Sequence, residues 1–213
     1  MKRCFLAVAA VLVWSAVLTS CTTSGTMSDQ AFPTTCRWSP HWAIGDSITN
    51  ESTIRISGWP NVGPALGYWS NQGLWGAHAD ARVDFALAEL AGCGLRTKPT
   101  LIVLEAGLND LAGGTTPADL EASYTKLIAS AGVPVRVMTL PPYVKSGPWA
   151  SLQPQRQAVN AWIRANVPDV DCAPALETAD GWLNPAYSID GLVHLNAAGE
   201  AALATCVMAN VSP

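Results

Sequence analysis

Apolar positions along the chain fall into runs whose spacing changes from segment to segment. The longest uninterrupted run extends from Phe5 to Trp14 and resumes after Ser15 as Ala16, Val17 and Leu18, with Lys2 and Arg3 ahead of it. A basic start followed by a short apolar stretch has the form of a secretory signal. At about 14 residues it falls short of the about 20 that a transmembrane helix needs. Further along, short apolar runs alternate with segments of helical period. His41 to Ile44 reads as a strand and leads into an irregular Gly- and Trp-rich stretch. A helix is predicted over about residues 78–91, with Ala81, Val83, Phe85, Ala86, Leu87 and Leu90 on its inner face, and Gly92 and Gly94 stop it. Thr100 to Glu105 is nearly all apolar, as in a strand buried on both faces. Thr116 as cap and Pro117 at the first helical position open a helix over about 117–131. Then follow a strand over 134–140 closed by Pro141 and Pro142, a helix near 151–166, a short strand around 169–173 and a last helix over about 197–209. Such alternation predicts an α/β fold with a parallel sheet covered on both sides. Ligands of such sheets bind beyond the C-terminal strand ends.

The segment Leu18-Thr19-Ser20-Cys21 that closes the first apolar run resembles the lipobox of bacterial lipoproteins. That resemblance implies a lipoprotein signal peptide over residues 1–20, acylation of Cys21, and an exported protein tethered to the cell membrane and facing the envelope. Several acyl chains give stable anchoring where one is marginal. The Ser- and Thr-rich residues 21–35 read as a flexible spacer. With no internal repeat and no second linker, residues 36–213 form one expected domain. A plain secreted protein with a different cleavage site is the alternative.

Composition sharpens this picture in three ways. Of 213 residues, 49% are hydrophobic and only 13% charged, against about 25% in ordinary soluble domains, which excludes a disordered chain. The formal charge is -4 and the 12 basic side chains are scattered, so a nucleic-acid partner is not expected. Six cysteines are present. With Cys4 in the signal and Cys21 lipidated, Cys36, Cys93, Cys172 and Cys206 remain, an even set suited to disulfides in an exported domain. The expected pairs are Cys36 with Cys93, tying the start of the domain to its early half, and Cys172 with Cys206, tying its last strand to its last helix. None of these cysteines has metal-ligand spacing, and no metal or cofactor is expected.

Three polar clusters stand where the sheet would present them. Gly45-Asp46-Ser47 follows the first strand, Gly107-Leu108-Asn109-Asp110 follows the central strand, and Asp190 to His194 precedes the last helix. A serine on a tight turn leaving a strand projects its hydroxyl into the cleft. An asparagine amide can donate to a developing oxyanion, a contribution of about 3 kcal/mol in a preorganised site. The base is found by elimination among the three histidines. His41 opens the strand that Ser47 leaves, about 20 Å away at about 3.3 Å per residue. His78 lies at the start of the helix predicted over about 78–91 and reads as a lining or capping residue. His194 can take a proton from Ser47 while Asp190 orients the ring.

Taken together, Ile44-Gly45-Asp46-Ser47-Ile48-Thr49, Asn71-Gln72-Gly73-Leu74-Trp75-Gly76, Gly107-Leu108-Asn109-Asp110 and Asp190 to His194 resemble the four ordered blocks of the SGNH (GDSL-type) hydrolases. The resemblance spans residues 42 to about 200. It implies a three-layer α/β/α sandwich with a five-stranded parallel sheet, flavodoxin-like in arrangement, and hydrolysis of esters without a metal. It implies Ser47 as nucleophile, His194 as base and Asp190 as the orienting acid. The oxyanion hole would comprise the amides of Ser47 and Gly76 and the side chain of Asn109. Gly73 also fits the second block, but the spacing from Asn71 favours Gly76. The family usually has two residues between the last Asp and His; here Gly191, Leu192 and Val193 make three. In a helical turn, positions i and i+4 share a face and Asp190 still reaches His194. In extended chain the added residue turns the side chain away and a backbone carbonyl would orient the ring.

The expected function is that of an exported, lipid-anchored serine esterase acting on O-acyl carbohydrate or lipid esters, a monomer whose partners are its small substrate and, through the lipid, the membrane. An acyltransferase on the same triad and a non-catalytic envelope-binding protein of the same fold are the alternatives. Trp69, Trp75, Trp149 and Trp182 fall in segments expected to border the cleft, with packing as their default role.

Overall fold

Residues 41–49, 69–71, 83 and 99–211 are described by the structure, a computed structural model. All of them belong to one unit of the chain, Pro33–Pro213. Among the described residues the strands are β1 (His41–Gly45), β2 (Trp69–Asn71), β3 (Leu101–Glu105), β4 (Val135–Met138) and β5 (Asp169–Val170). They pair in parallel throughout, in the order β2-β1-β3-β4-β5. The helices are α1 (Leu108–Ala112), α2 (Pro117–Ala131), α3 (Gln153–Asn166), α4 (Ala173–Leu176) and α5 (Ala197–Val211). Of the helix expected over about 78–91 only Val83 is described, and it is helical and buried. The five-stranded parallel α/β architecture is the one expected.

β3 lies at the centre because it can be buried on both faces. Ile102, Val103, Leu104 and Glu105 are all inaccessible to solvent, so neither face can be left without a covering layer. The register pairs Val103 with Arg136, and Arg136 reaches the carbonyl of Asn210 at the end of α5 at 2.5 Å. α5 therefore covers the face that carries Val103 and Glu105. By strand alternation Ile102 and Leu104 point the other way, toward α2 and α3, which meet through the stacked rings of Tyr124 and Trp162.

Local chemistry sets the element ends. Thr116 Oγ1 accepts the Asp119 N–H at 3.2 Å and Pro117 occupies the first turn of α2, as the sequence predicts. A 3-10 turn, Ala150–Leu152, leads into α3. The fifth strand is shorter than the predicted 169–173. Asp171 turns out to an ion pair with Arg164, and Cys172 already caps α4, where it is bonded to Cys206 of α5. That disulfide is one of the two expected; Cys36 and Cys93 lie outside the described residues.

Beyond β4, buried polar groups fix the chain. Leu140 donates its N–H to Asn160 Oδ1 at 2.7 Å, and its carbonyl accepts from Asn160 Nδ2 and Arg156 Nη1 at 3.0 and 2.8 Å. Arg156 also pairs with Glu177. Burial pulls the Arg156 guanidinium down to about 10, against the pull of Glu177, so it stays charged at neutral pH. This anchored segment continues to Val144, whose N–H bonds to the Leu192 carbonyl at 2.8 Å. The C-terminal edge of the sheet is thereby tied to the loop before α5.

Candidate active site

The strand order reverses direction between β1 and β3, the switch point at which open α/β sheets open a crevice for ligands. Ser47 leaves β1 there, and Asn109 leaves β3. β1 and β3 approach closely because Gly45 has no side chain: a Cβ there would stand 2.3 Å from the Glu105 carbonyl and 2.3 Å from Thr49 Oγ1. Past Gly45 the chain turns sharply. Asp46 N–H bonds to Glu105 O at 3.0 Å, and Thr49 N–H returns to Asp46 O at 3.1 Å. The turn lifts Ser47, which is only partly buried, above buried Asp46 and Ile48.

Ser47 Oγ lies 2.8 Å from His194 Nε2, and His194 Nδ1 lies 2.5 Å from Asp190 Oδ2. A hydroxyl, an imidazole and a carboxylate thus stand in series, 147 residues apart in the chain at their first link. Asp190 meets His194 by a route different from both sequence alternatives. The segment is neither helical nor extended. Asp190 Oδ1 accepts the N–H groups of Leu192 and Val193 at 2.7 and 3.2 Å, an Asx-type turn. Gly191 takes a left-handed φ of 71° within it, and the Ile189 N–H closes the loop on the His194 carbonyl at 3.0 Å. The third intervening residue is absorbed in this turn. Asn196 then caps α5, accepting from Ala198 and Gly199 N–H at 3.0 and 3.1 Å. Burial raises the Asp190 carboxyl, but His194 and the two backbone N–H groups outweigh it and hold the group below its ordinary range.

Asn109, at the start of α1, lines the same pocket as Ser47 and His194, together with Asp46, Ile48, Leu108, Ala112, Trp149 and Val193. The cavity is small, about 40 Å3. Asn109 Nδ2 donates to Asp46 Oδ2 at 3.4 Å, and Ile48 N–H donates to Asp46 Oδ1 at 3.0 Å. Asp110 is buried and accepts the Val83 N–H at 3.2 Å.

Two acids lie behind the nucleophile. Asp46 and Glu105 are both buried, and the Asp46 N–H bonds to the Glu105 carbonyl. Burial pushes Asp46 up to about 6, against the N–H of Ile48, the hydrogen bond from Glu105 and the charge of His194. Burial and the neighbouring Asp46 push Glu105 well above the ordinary carboxyl range. The available signal was an acidic residue closing an otherwise apolar strand.

Of the other residues singled out in the sequence, Trp149 lines the pocket with its ring edge-on to Tyr143, while Trp182 packs against the core. Gly76, Gly73, Cys21, His78, Trp75 and the side chains of Trp69 and His41 lie outside the described residues. Among the described residues no group of three or more His, Cys, Asp or Glu converges as metal ligands would.

The arrangement can carry acyl transfer: a hydroxyl hydrogen-bonded to an imidazole, an oriented imidazole, and an amide donor beside them. A model of the GDSL-like lipase/acylhydrolase family matches residues 43–202. Among solved structures, the chain is similar to a GDSL-like lipase from Bacteroides thetaiotaomicron, at 22% identity and TM-score 0.64 over 79% of this chain and 85% of that one. It is similar to the lipase/acylhydrolase from Enterococcus faecalis, at 19% identity and TM-score 0.64 over 80% and 94%. A carbohydrate esterase family 3 protein from Talaromyces cellulolyticus matches at 22% identity and TM-score 0.58 over 78% and 93%. At these identities the structural likeness is one of fold. Comparison with curated proteins finds no match.

Proposed function

Because the chain belongs to the GDSL-like lipase/acylhydrolase family and is an ester hydrolase, we propose that it works through Ser47, His194 and Asp190 on small O-acyl esters of carbohydrate or lipid at the cell envelope. The observation that carries this reading is the unbroken chain Ser47 Oγ, His194 Nε2, His194 Nδ1, Asp190 Oδ2, at 2.8 and 2.5 Å. Ser47 Oγ attacks the ester carbonyl and passes its proton to His194 Nε2. Asp190 stabilises the imidazolium that forms. The oxyanion is received by the Ser47 amide and Asn109 Nδ2, with the Gly76 amide as the third donor that family resemblance implies. Collapse of the tetrahedral intermediate breaks the ester C–O bond, and the leaving alcohol takes the proton from His194. Water, deprotonated by the same histidine, then attacks the acyl-enzyme and releases the acid.

The pocket supports a short acyl group. A water-sized site needs about 10–15 Å3, so 40 Å3 suits an acyl chain of a few heavy atoms beside Trp149, Leu108 and Val193. Nitrophenyl esters of graded length test this: hydrolysis should be fastest on acetate and fall with length, and Ser47→Ala should lower it to background. A rate that rises toward long chains would refute the short-acyl assignment. Product analysis with an acceptor sugar present should still give free acid; transfer to the sugar would make the protein an acyltransferase.

The signal over residues 1–20, the lipid on Cys21, the spacer over 21–35, the catalytic domain over 36–213 and a monomeric state complete the proposal, supported by the lipobox-like Leu18 to Cys21. Cys21→Ser should move the protein from the membrane fraction to the soluble fraction. Retention on the membrane by that variant would remove the anchor from the account.

A further inference from the structure

Directly behind the nucleophile the chain buries more acid than a triad requires. Asp46 and Glu105 are 1% and 0% exposed, and the parallel register places Gly45 of β1 opposite Glu105 of β3. Asp46 N–H bonds to the Glu105 carbonyl at 3.0 Å, so the two acids are neighbours. Two buried carboxylates side by side repel each other and offer acceptors only, so one of the pair must hold a proton. The surrounding donors decide which. Asp46 receives two, Ile48 N–H on Oδ1 and Asn109 Nδ2 on Oδ2, at 3.0 and 3.4 Å, and it faces the ring of His194. Glu105 receives the Thr49 hydroxyl on Oε2 at 2.8 Å, while its Oε1 accepts no hydrogen bond. Among the described residues the other acids and phenols that interact with the pair are Asp110 of α1, Tyr124 of α2, Tyr143 and Glu200 of α5, and none of them favours a charge on Glu105. The proton belongs on Glu105, which turns an oxygen without a donor into a donor toward Asp46.

We propose that Glu105 is a positioning residue for the oxyanion site: by holding that proton it keeps Asp46 a carboxylate, and the carboxylate fixes the Asn109 amide with its nitrogen, not its oxygen, at the pocket. The amide of an asparagine is nearly symmetric in shape, so only its partners choose its orientation. Against a carboxylate only the Nδ2 end is favourable. Against a protonated Asp46 the Oδ1 end would be accepted equally well, and an amide oxygen turned to the pocket would repel the oxyanion it should stabilise. Glu105 touches no reacting atom; it acts through Asp46 on Asn109. The inference rests on the esterase reading of Ser47 and Asn109.

The test compares Glu105→Gln, which keeps a donor of similar shape, with Glu105→Met, which removes it, each alone and on Asn109→Ala. Glu105→Gln should stay within about threefold of the unaltered enzyme. Glu105→Met should lower kcat about tenfold or more with KM unchanged, because the lost interaction belongs to the transition state. On Asn109→Ala the same Met substitution should cost no further activity, since the route it serves is already cut. Infrared difference spectra of the unaltered protein against Glu105→Gln at neutral pH should show the carbonyl stretch of a protonated carboxyl disappearing. Equal losses in the Gln and Met variants, losses that add in full on Asn109→Ala, or no such band would each overturn the proposal. If Glu105→Met does not fold, the infrared band and the activity of Glu105→Gln decide it. A wild-type enzyme with no Ser47-dependent hydrolysis would instead remove the esterase reading and this role with it, whereas hydrolysis with additive losses removes this role alone.

Discussion

Asp46 sits between the two halves of the proposed chemistry, bonded to the Asn109 amide on one side and facing His194 on the other. Its place has a kinetic consequence. Burial brings the Asp46 titration to about 6. Asp46 works ionised, so kcat/KM should fall as pH drops through that value, and Asp46→Asn should lower the plateau and remove this step from the acid limb. An acid limb left unchanged by Asp46→Asn would contradict the required ionisation of Asp46. At this scale Ser47, Asn109, Asp190 and His194 were legible because they are polar residues placed just after apolar runs or before the last helix. The role of Glu105 was not, since its only sequence signal is an acid closing the apolar run Leu101–Leu104, and its neighbour Asp46 lies 59 positions earlier, across a strand pairing that periodicity does not specify.

At the scale of elements, the loop between Tyr187 and α5 shows how a departure in spacing can be absorbed without loss of geometry. Gly191 makes the difference: its φ of 71° lets Asp190 accept from Leu192 and Val193 while still reaching His194. Nothing stands within 4 Å of a Cβ built there, so a side chain meets only the backbone penalty of about 1–2 kcal/mol. Gly191→Ala should lower stability by roughly that amount in urea unfolding and slow hydrolysis through a misplaced Asp190, and Gly191→Asn should lose less, since Asn tolerates left-handed backbone. A Gly191→Ala enzyme of full stability and full rate would show that the turn does not depend on this conformation. The strands and helices from Leu101 onward were legible from run length and from caps such as Thr116 and Pro117. The short β5 was not, because what ends it is tertiary: the Arg164 ion pair and the Cys172–Cys206 bond.

For the whole molecule, sheet order decides where chemistry can happen. The sequence of strands and helices implied a parallel sheet, but only the order β2-β1-β3-β4-β5 puts the ends of β1 and β3 side by side and so brings Ser47 to Asn109. The loop carrying Asp190 and His194 is held over that point by the Val144–Leu192 hydrogen bond and the Asn196 cap. A cleft lined by Ser47, His194 and Trp149 fits the ester hydrolase of this family. Its central requirement is a nucleophilic Ser47 activated by His194. Treating the mature protein with a fluorophosphonate and mapping the adduct by mass spectrometry tests this most directly. The expected result is one phosphonylated residue, Ser47, with labelling lost in Ser47→Ala and strongly slowed in His194→Ala. No adduct under conditions that label a control esterase, or an adduct on another residue that persists in Ser47→Ala, would contradict it.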